Sequence, residues 1–159
     1  MPRVSRKKLV EVPPDQIYDL VSDPRRLGEW WPRVTRIENV EGKAGAARTR
    51  WTSVLAADSG RKLRMDYQCI AATRPERYGW QQELEGTPFE EHLLRQATLV
   101  KLNGTAQGTL VELTAEHTLK GSARLAGFMM RKTQKQMLDT ALASLQRCFD
   151  GSLENGPAG

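Results

Sequence analysis

The chain has little of what most catalytic and metal sites are built from. Among 159 residues there are two cysteines and two histidines. Cys69 and Cys148 sit in apolar patterns without metal-ligand spacing and read as free, buried thiols. A disulfide between them would need their Cα atoms within about 7 Å. There is no P-loop, no dinucleotide-binding glycine pattern, no His-Glu-x-x-His and no Cys-x-x-Cys. A nucleophile triad would have to use His92 or His117. Glu90, Glu91 and His92 are adjacent, so on a strand they face opposite ways and make a poor metal site. No cofactor and no metal is expected. No apolar run reaches the roughly 18 residues of a membrane span. The basic start, Met-Pro-Arg-Val-Ser-Arg-Lys-Lys, lacks the apolar stretch of a secretory signal, so a cytoplasmic location is expected.

What is present suits one soluble, globular domain. The 39% hydrophobic and 27% charged content fits that class, and the length suffices for a single core. The net charge of +5 comes from 24 basic against 19 acidic residues. Its local contributors are Arg3, Arg6, Lys7 and Lys8 at the start, and Arg124, Arg131, Lys132 and Lys135 near the end. No aromatic interleaving or nucleic-acid motif accompanies them, so no nucleic-acid partner is expected. They read as a solvated basic face, or as a transient contact with an anionic membrane surface. Nothing in the residue pattern specifies an oligomeric state.

Val4 to Val12 reads as a first strand, stopped by Pro13-Pro14. Ile17, Leu20 and Val21 put one apolar stripe on a short helix, which Asp23-Pro24 ends. Asp23 can cap a second helical turn carrying Leu27, Trp30 and Trp31. From Arg33 the turn signals come at hairpin intervals and delimit six strands, near 33–41, 46–57, 62–73, 77–85, 89–102 and 108–119. Leu63, Met65, Tyr67 and Cys69 share one face of their strand; Val111, Leu113, Ala115, His117 and Leu119 share one face of theirs. Residues 89–102 show two competing parities, which a bulge would reconcile. Near neighbours joined by short turns call for an antiparallel meander of seven strands, and the two strands with readable faces have one side wet and one covered.

Ser122 to Asp150 carries the longest helical pattern. Leu138, Leu142, Leu145 and Phe149 recur on one face, widened by Met137, Ala141 and Cys148. Toward the N-terminus the stripe turns polar: Arg131 and Gln134 lie on the meridian of Leu138. Either those two reach solvent past a shorter sheet, or they face a hollow. Gly127 in the helix interior would mark a bend or a close packing contact. One helix cannot cover a twisted seven-stranded sheet by contact, so the sheet should curl around it and leave a chamber. Residues 1–150 are then a single domain and 151–159 a disordered tail.

These features resemble the START-like, or SRPBCC, superfamily of helix-grip proteins. The resemblance covers about residues 3–149. It rests on the element order, on Val12-Pro13-Pro14-Asp15-Gln16-Ile17-Tyr18 entering the first helix, on Ser22-Asp23-Pro24 leading to Trp30-Trp31-Pro32, and on the Leu138, Leu142, Leu145 spacing. The resemblance implies an α+β fold in which a curved seven-stranded antiparallel sheet wraps a long C-terminal helix, with two short helices between strands 1 and 2. It also implies the polyketide cyclase/dehydrase and lipid-transport branch, whose members bind lipids, quinones or polyketides. No shared catalytic motif of that branch can be placed on these residues.

Tyr67, Trp80, His117, Met130, Arg131 and Gln134 are the candidate chamber-lining residues, because aromatics beside a few polar groups suit an apolar pocket. Tryptophans and strand histidines also serve as ordinary core and solvated residues. The first functional reading is a non-enzymatic carrier of a hydrophobic small molecule. The alternative is a cyclase or dehydratase in which His117 or His92 moves a proton and Arg131 steadies an enolate.

Overall fold

The computed structural model describes residues 3–121 and 127–154. The chain runs β1 (Arg3–Val10), α1 (Pro14–Val21), a 3-10 turn (Pro24–Arg26) leading into α2 (Leu27–Trp30), then β2 (Val34–Glu41) and β3 (Arg50–Ala56). It continues with β4 (Lys62–Thr73), β5 (Arg77–Gln82), β6 (Leu93–Thr105), β7 (Gly108–Leu119) and α3 (Gly127–Glu154). The seven strands form one antiparallel sheet in the order β1-β7-β6-β5-β4-β3-β2.

Local chemistry accounts for the helical connection. Pro14 opens α1, where its missing N–H falls among donors that have no intrahelical acceptor. The helix then buries Ile17, Tyr18, Leu20 and Val21 as one stripe. Asp23 Oδ1 accepts a hydrogen bond from the Arg25 N–H at 3.0 Å and starts the next turn. That turn delivers Leu27 and Trp30, each 3% exposed or less, to the sheet.

Two stretches of the meander differ from expectation. Pro88–Glu91 forms a 3-10 turn rather than the start of a strand. β6 begins at Leu93 and shifts register between Leu93 and Arg95, and that irregularity settles the competing parities. Thr98, Val100 and Leu102 are buried, with Gln96 half-buried beside them. Further on, Asn103-Gly104 lies inside β6, and the reversal comes at Thr105–Gly108. A Cβ at Gly104 would stand 3.3 Å from Cγ of Pro14, so this glycine serves the close approach of α1 rather than a turn.

The last helix ends beyond its expected span. It is described from Gly127 onward. Residues 122–126, expected to be helical and including Arg124, lie outside the described residues. The helix extends to Glu154, so the boundary expected after Asp150 falls within it. Residues 155–159 lie outside the described residues.

Register assigns the two faces of the sheet. Val4 pairs Ala115, Thr98 pairs Ala115 and Tyr78 pairs Val100, so these residues share the face toward α3. On α3, Leu138, Ala141, Leu142 and Leu145 are no more than 2% exposed and join Val4, Val10, Val111, Leu113 and Ala115 in one core. Each large side chain so buried contributes about 1.5–3 kcal/mol. The opposite face carries Arg3–Glu116–Arg95, Lys7–Glu112, Arg50–Glu83 and Arg64–Glu38–Arg36 ion pairs. Much of the excess of basic charge is therefore paired on a solvated surface, where such pairs add little stability. The whole is the helix-grip α+β arrangement, a curved antiparallel sheet around a long C-terminal helix.

Candidate functional site

The concave side of the sheet divides into an aromatic part and a polar part. Trp80 on β5 is the centre of the first. Its ring makes edge contacts with Trp31 at 5.3 Å, Trp30 at 6.2 Å and Trp51 at 6.4 Å between centroids, and a tilted contact with Tyr78 at 6.0 Å. Tyr67 stacks on Trp51 at 6.1 Å, and Tyr18 meets Tyr78 edge-on at 6.3 Å. α1 supplies Tyr18, α2 supplies Trp30 and its neighbour Trp31, and β3, β4 and β5 supply the others. Such pairs add about 0.5–1.5 kcal/mol each beyond simple burial.

The polar part lies where the end of β7 meets the start of α3. A half-open cavity of about 10 Å³ is lined there by Val4, Ala115, His117, Leu119, Met130, Arg131 and Gln134. Four of the six candidate lining residues thus meet around one void: His117, Met130, Arg131 and Gln134. Tyr67 and Trp80 face the same side of the sheet but are built into the aromatic part. That void has room for about one water molecule. In the aromatic part the side chains of Trp30, Trp31, Trp51, Tyr67, Tyr78 and Trp80 pack against one another. Larger hollows exist, one of about 810 Å³ walled by Glu76, Arg77, Lys101 and Glu112 among others. None of their described walls comes from α3.

The electrostatics of the interior are those of neutral groups. His117 is buried, and the loss of water pulls its imidazole pKa below the ordinary value. Burial pushes the Tyr67 and Tyr78 hydroxyls up, so both stay protonated. Burial likewise raises the Cys69 and Cys148 thiols, which are free and poor nucleophiles in that state. His92 is exposed at the end of the 3-10 turn and stands outside the cavity wall. Among the described residues no group of three or more His, Cys, Asp and Glu is placed to hold a metal ion.

Several interior polar atoms lack partners. They are Nε1 of Trp30 and Trp51, the Tyr78 hydroxyl, Nε2 of Gln82, Oε1 of Gln96 and Oε1 of Gln134. The Tyr78 hydroxyl lies near the Cys69 thiol without forming a well-aligned hydrogen bond. A buried polar atom left unpaired costs about 1–3 kcal/mol, so a cluster of them is not explained by stability. Sequence reasoning did not select Gln82, Gln96 or Trp51. The signal was present, since Gln82 shares parity with Tyr78 and Trp80, and Gln96 with Thr98 and Val100.

Comparison with known proteins bears on the fold and the family. A family model described as "Polyketide cyclase / dehydrase and lipid transport" matches residues 1–149. No curated protein sequence matches the chain. Among solved structures, TTHA0849 from Thermus thermophilus is 23% identical with a TM-score of 0.71, covering 92% of this chain and 95% of that one. A START superfamily protein from Mycobacterium smegmatis is 14% identical with a TM-score of 0.70, covering 91% and 94%. The di-domain ARO/CYC StfQ from the steffimycin biosynthetic pathway is 13% identical with a TM-score of 0.75, covering 91% of this chain and 49% of StfQ. At these identities the structural likeness speaks for the fold alone. No described helix is long and apolar enough to cross a membrane.

Proposed function

Because the chain belongs to the polyketide cyclase / dehydrase and lipid transport family, we propose that it binds a hydrophobic small molecule between the concave face and α3. The observation that carries this reading is the set of unpartnered polar atoms among buried apolar and aromatic side chains. A closed protein gains nothing from such atoms, whereas a ligand could supply their partners. The void of about 10 Å³ is too small for that ligand, so uptake at that point would have the described first turns of α3 move off the sheet. The packing of α3 supports such a motion. Among its described side chains the fully buried ones begin at Leu138, while Met129 is 73% exposed and Met130 and Gln134 are half-buried.

The test is saturable uptake of the uncharged, environment-sensitive dye Nile red, displaced by added lipid or quinone. Enhancement that saturates and reverses on displacement is expected. A linear, non-displaceable signal would sink the reading.

An enzymatic reading, a cyclase or dehydratase on a ligand in the same place, has one specific observation in its favour. His117 lines the void beside Arg131, and burial keeps its imidazole in the neutral form that can accept a proton. Replacing His117 with asparagine should then abolish turnover of a polyketide-like substrate while the folded circular-dichroism spectrum persists. Undiminished turnover would exclude a mechanism through this residue. Exposed Arg131, Lys132 and Lys135 beside Met129 also favour a transient contact with an anionic membrane surface, which vesicle sedimentation at low and high salt would expose.

A further inference from the structure

The unpartnered atoms are not scattered over the interior. Trp51 pairs Tyr67 across β3 and β4, Tyr67 pairs Gln82 across β4 and β5, and Gln96 pairs His117 across β6 and β7. Gln81 pairs Ala97, so one step further in the same register Gln82 stands opposite Gln96. Trp51, Tyr67, Gln82, Gln96 and His117 therefore form one continuous row across five strands, all on the concave face. At an interstrand spacing of about 4.8 Å the row is about 19 Å long. α3 adds Gln134 at the His117 end, on the wall of the same void. Along this row the open valences are the N–H of Trp51, an N–H of Gln82, and the carbonyl oxygens of Gln96 and Gln134. Gln82 is 7% exposed and His117 8%. The other amide end of Gln96 is engaged, its Nε2 donating to Thr98 Oγ1 at 3.3 Å.

No member of the row carries a charge. Among the described residues that line the void, the cation is Arg131, which is exposed. A carboxylate drawn onto the row would lose its water and gain no counter-charge, whereas carbonyls and hydroxyls would find matched donors and acceptors. Resting on the binding reading above, we infer that this cross-sheet row selects an elongated, uncharged ligand that bears both hydroxyl and carbonyl groups, and discriminates against anionic ones. Gln82 and Gln96 are its specificity-determining residues.

Calorimetric titration of the full chain at pH 7 with 1,4-dihydroxyanthraquinone and with anthraquinone-2-carboxylate tests this. The two probes share a ring system and differ in charge. The uncharged probe should bind at least tenfold more tightly, and Gln82→Leu or Gln96→Leu should each weaken it about fivefold or more. Both variants should melt, without ligand, at or above the temperature of the parent, since each removes an unpaired buried polar atom. Equal affinity for the two probes, or full affinity in the leucine variants, would overturn the inference while leaving the binding reading intact. A marked drop in melting temperature in either leucine variant would also overturn it, identifying the glutamines as structural. If neither probe binds the parent and Nile red uptake is also absent, the binding reading fails and takes the inference with it.

Discussion

The two halves of α3 have the same backbone conformation and opposite packing. From Leu138 onward the helix is anchored: Leu138, Ala141, Leu142 and Leu145 are almost wholly buried, and Cys148 Sγ reaches the Glu29 carbonyl oxygen at 3.4 Å. Before Leu138 it presents Met129, Arg131, Lys132 and Lys135 to solvent, and among the described side chains Met130, Gln134 and Met137 turn partly inward. The anchored half is held by burial that nothing else could replace. The other half covers polar groups it does not pair with. A helix built this way can stay folded while one end lifts, and the lifted end is where the interior would be reached.

The largest effect expected is on the anchored half. Leu145→Ala should lower unfolding free energy by about 2–5 kcal/mol in chemical denaturation, the cost of a cavity in a closed core. A loss below about 1 kcal/mol would erase the contrast between the halves. Gln134→Leu sharpens it with the opposite sign: stability should be unchanged or higher by about 1 kcal/mol, with altered ligand uptake. A loss of several kcal/mol would instead make Gln134 a structural hydrogen-bonding residue.

His117 gives a pH-dependent probe of the loosely packed end. Its folded-state pKa is depressed by burial, so below the ordinary histidine value the unfolded chain binds a proton that the folded chain does not. Stability should therefore fall as pH drops from about 7 through 6.5 toward the depressed value. His117→Gln should show a flatter profile over the same window, and identical profiles would mean that the imidazole is solvated. The smallest effect belongs to the Arg6–Asp139 pair at 2.7 Å, which ties β1 to α3 across solvent. A double-mutant cycle should find a slight coupling that disappears in high salt.

Much of this architecture is legible in the residues. Strand parity is a local property, so the inward sets Val111 to Leu119 and Met65 to Cys69 follow from alternation alone. Pro14, Asp23 and Pro24 act on their own backbone and place the short helices without help from distant residues. The convergence of His117, Met130, Arg131 and Gln134 was half legible, because the helix meridian and strand parity each point inward. Gly104 shows the limit. Beside Asn103 it reads as a turn, yet the reason for a glycine there is Pro14, far earlier in the chain. The 3-10 turn at Pro88–Glu91 escapes a sequence reading for the same kind of reason, since apolar periodicity runs through it.

Alternation, helical periodicity and the proline and glycine punctuation determined on their own that a seven-stranded meander faces a long helix with one polar end. Only the folded molecule decided which side chains meet between them. Packing under a curved sheet depends on which side chains from β3, β4, β5 and α2 converge, and Trp30, Trp31, Trp51 and Trp80 come together only when the register of strands distant in sequence is set. The same register lined up Gln82 with Gln96 and His117, and no local pattern could have aligned them.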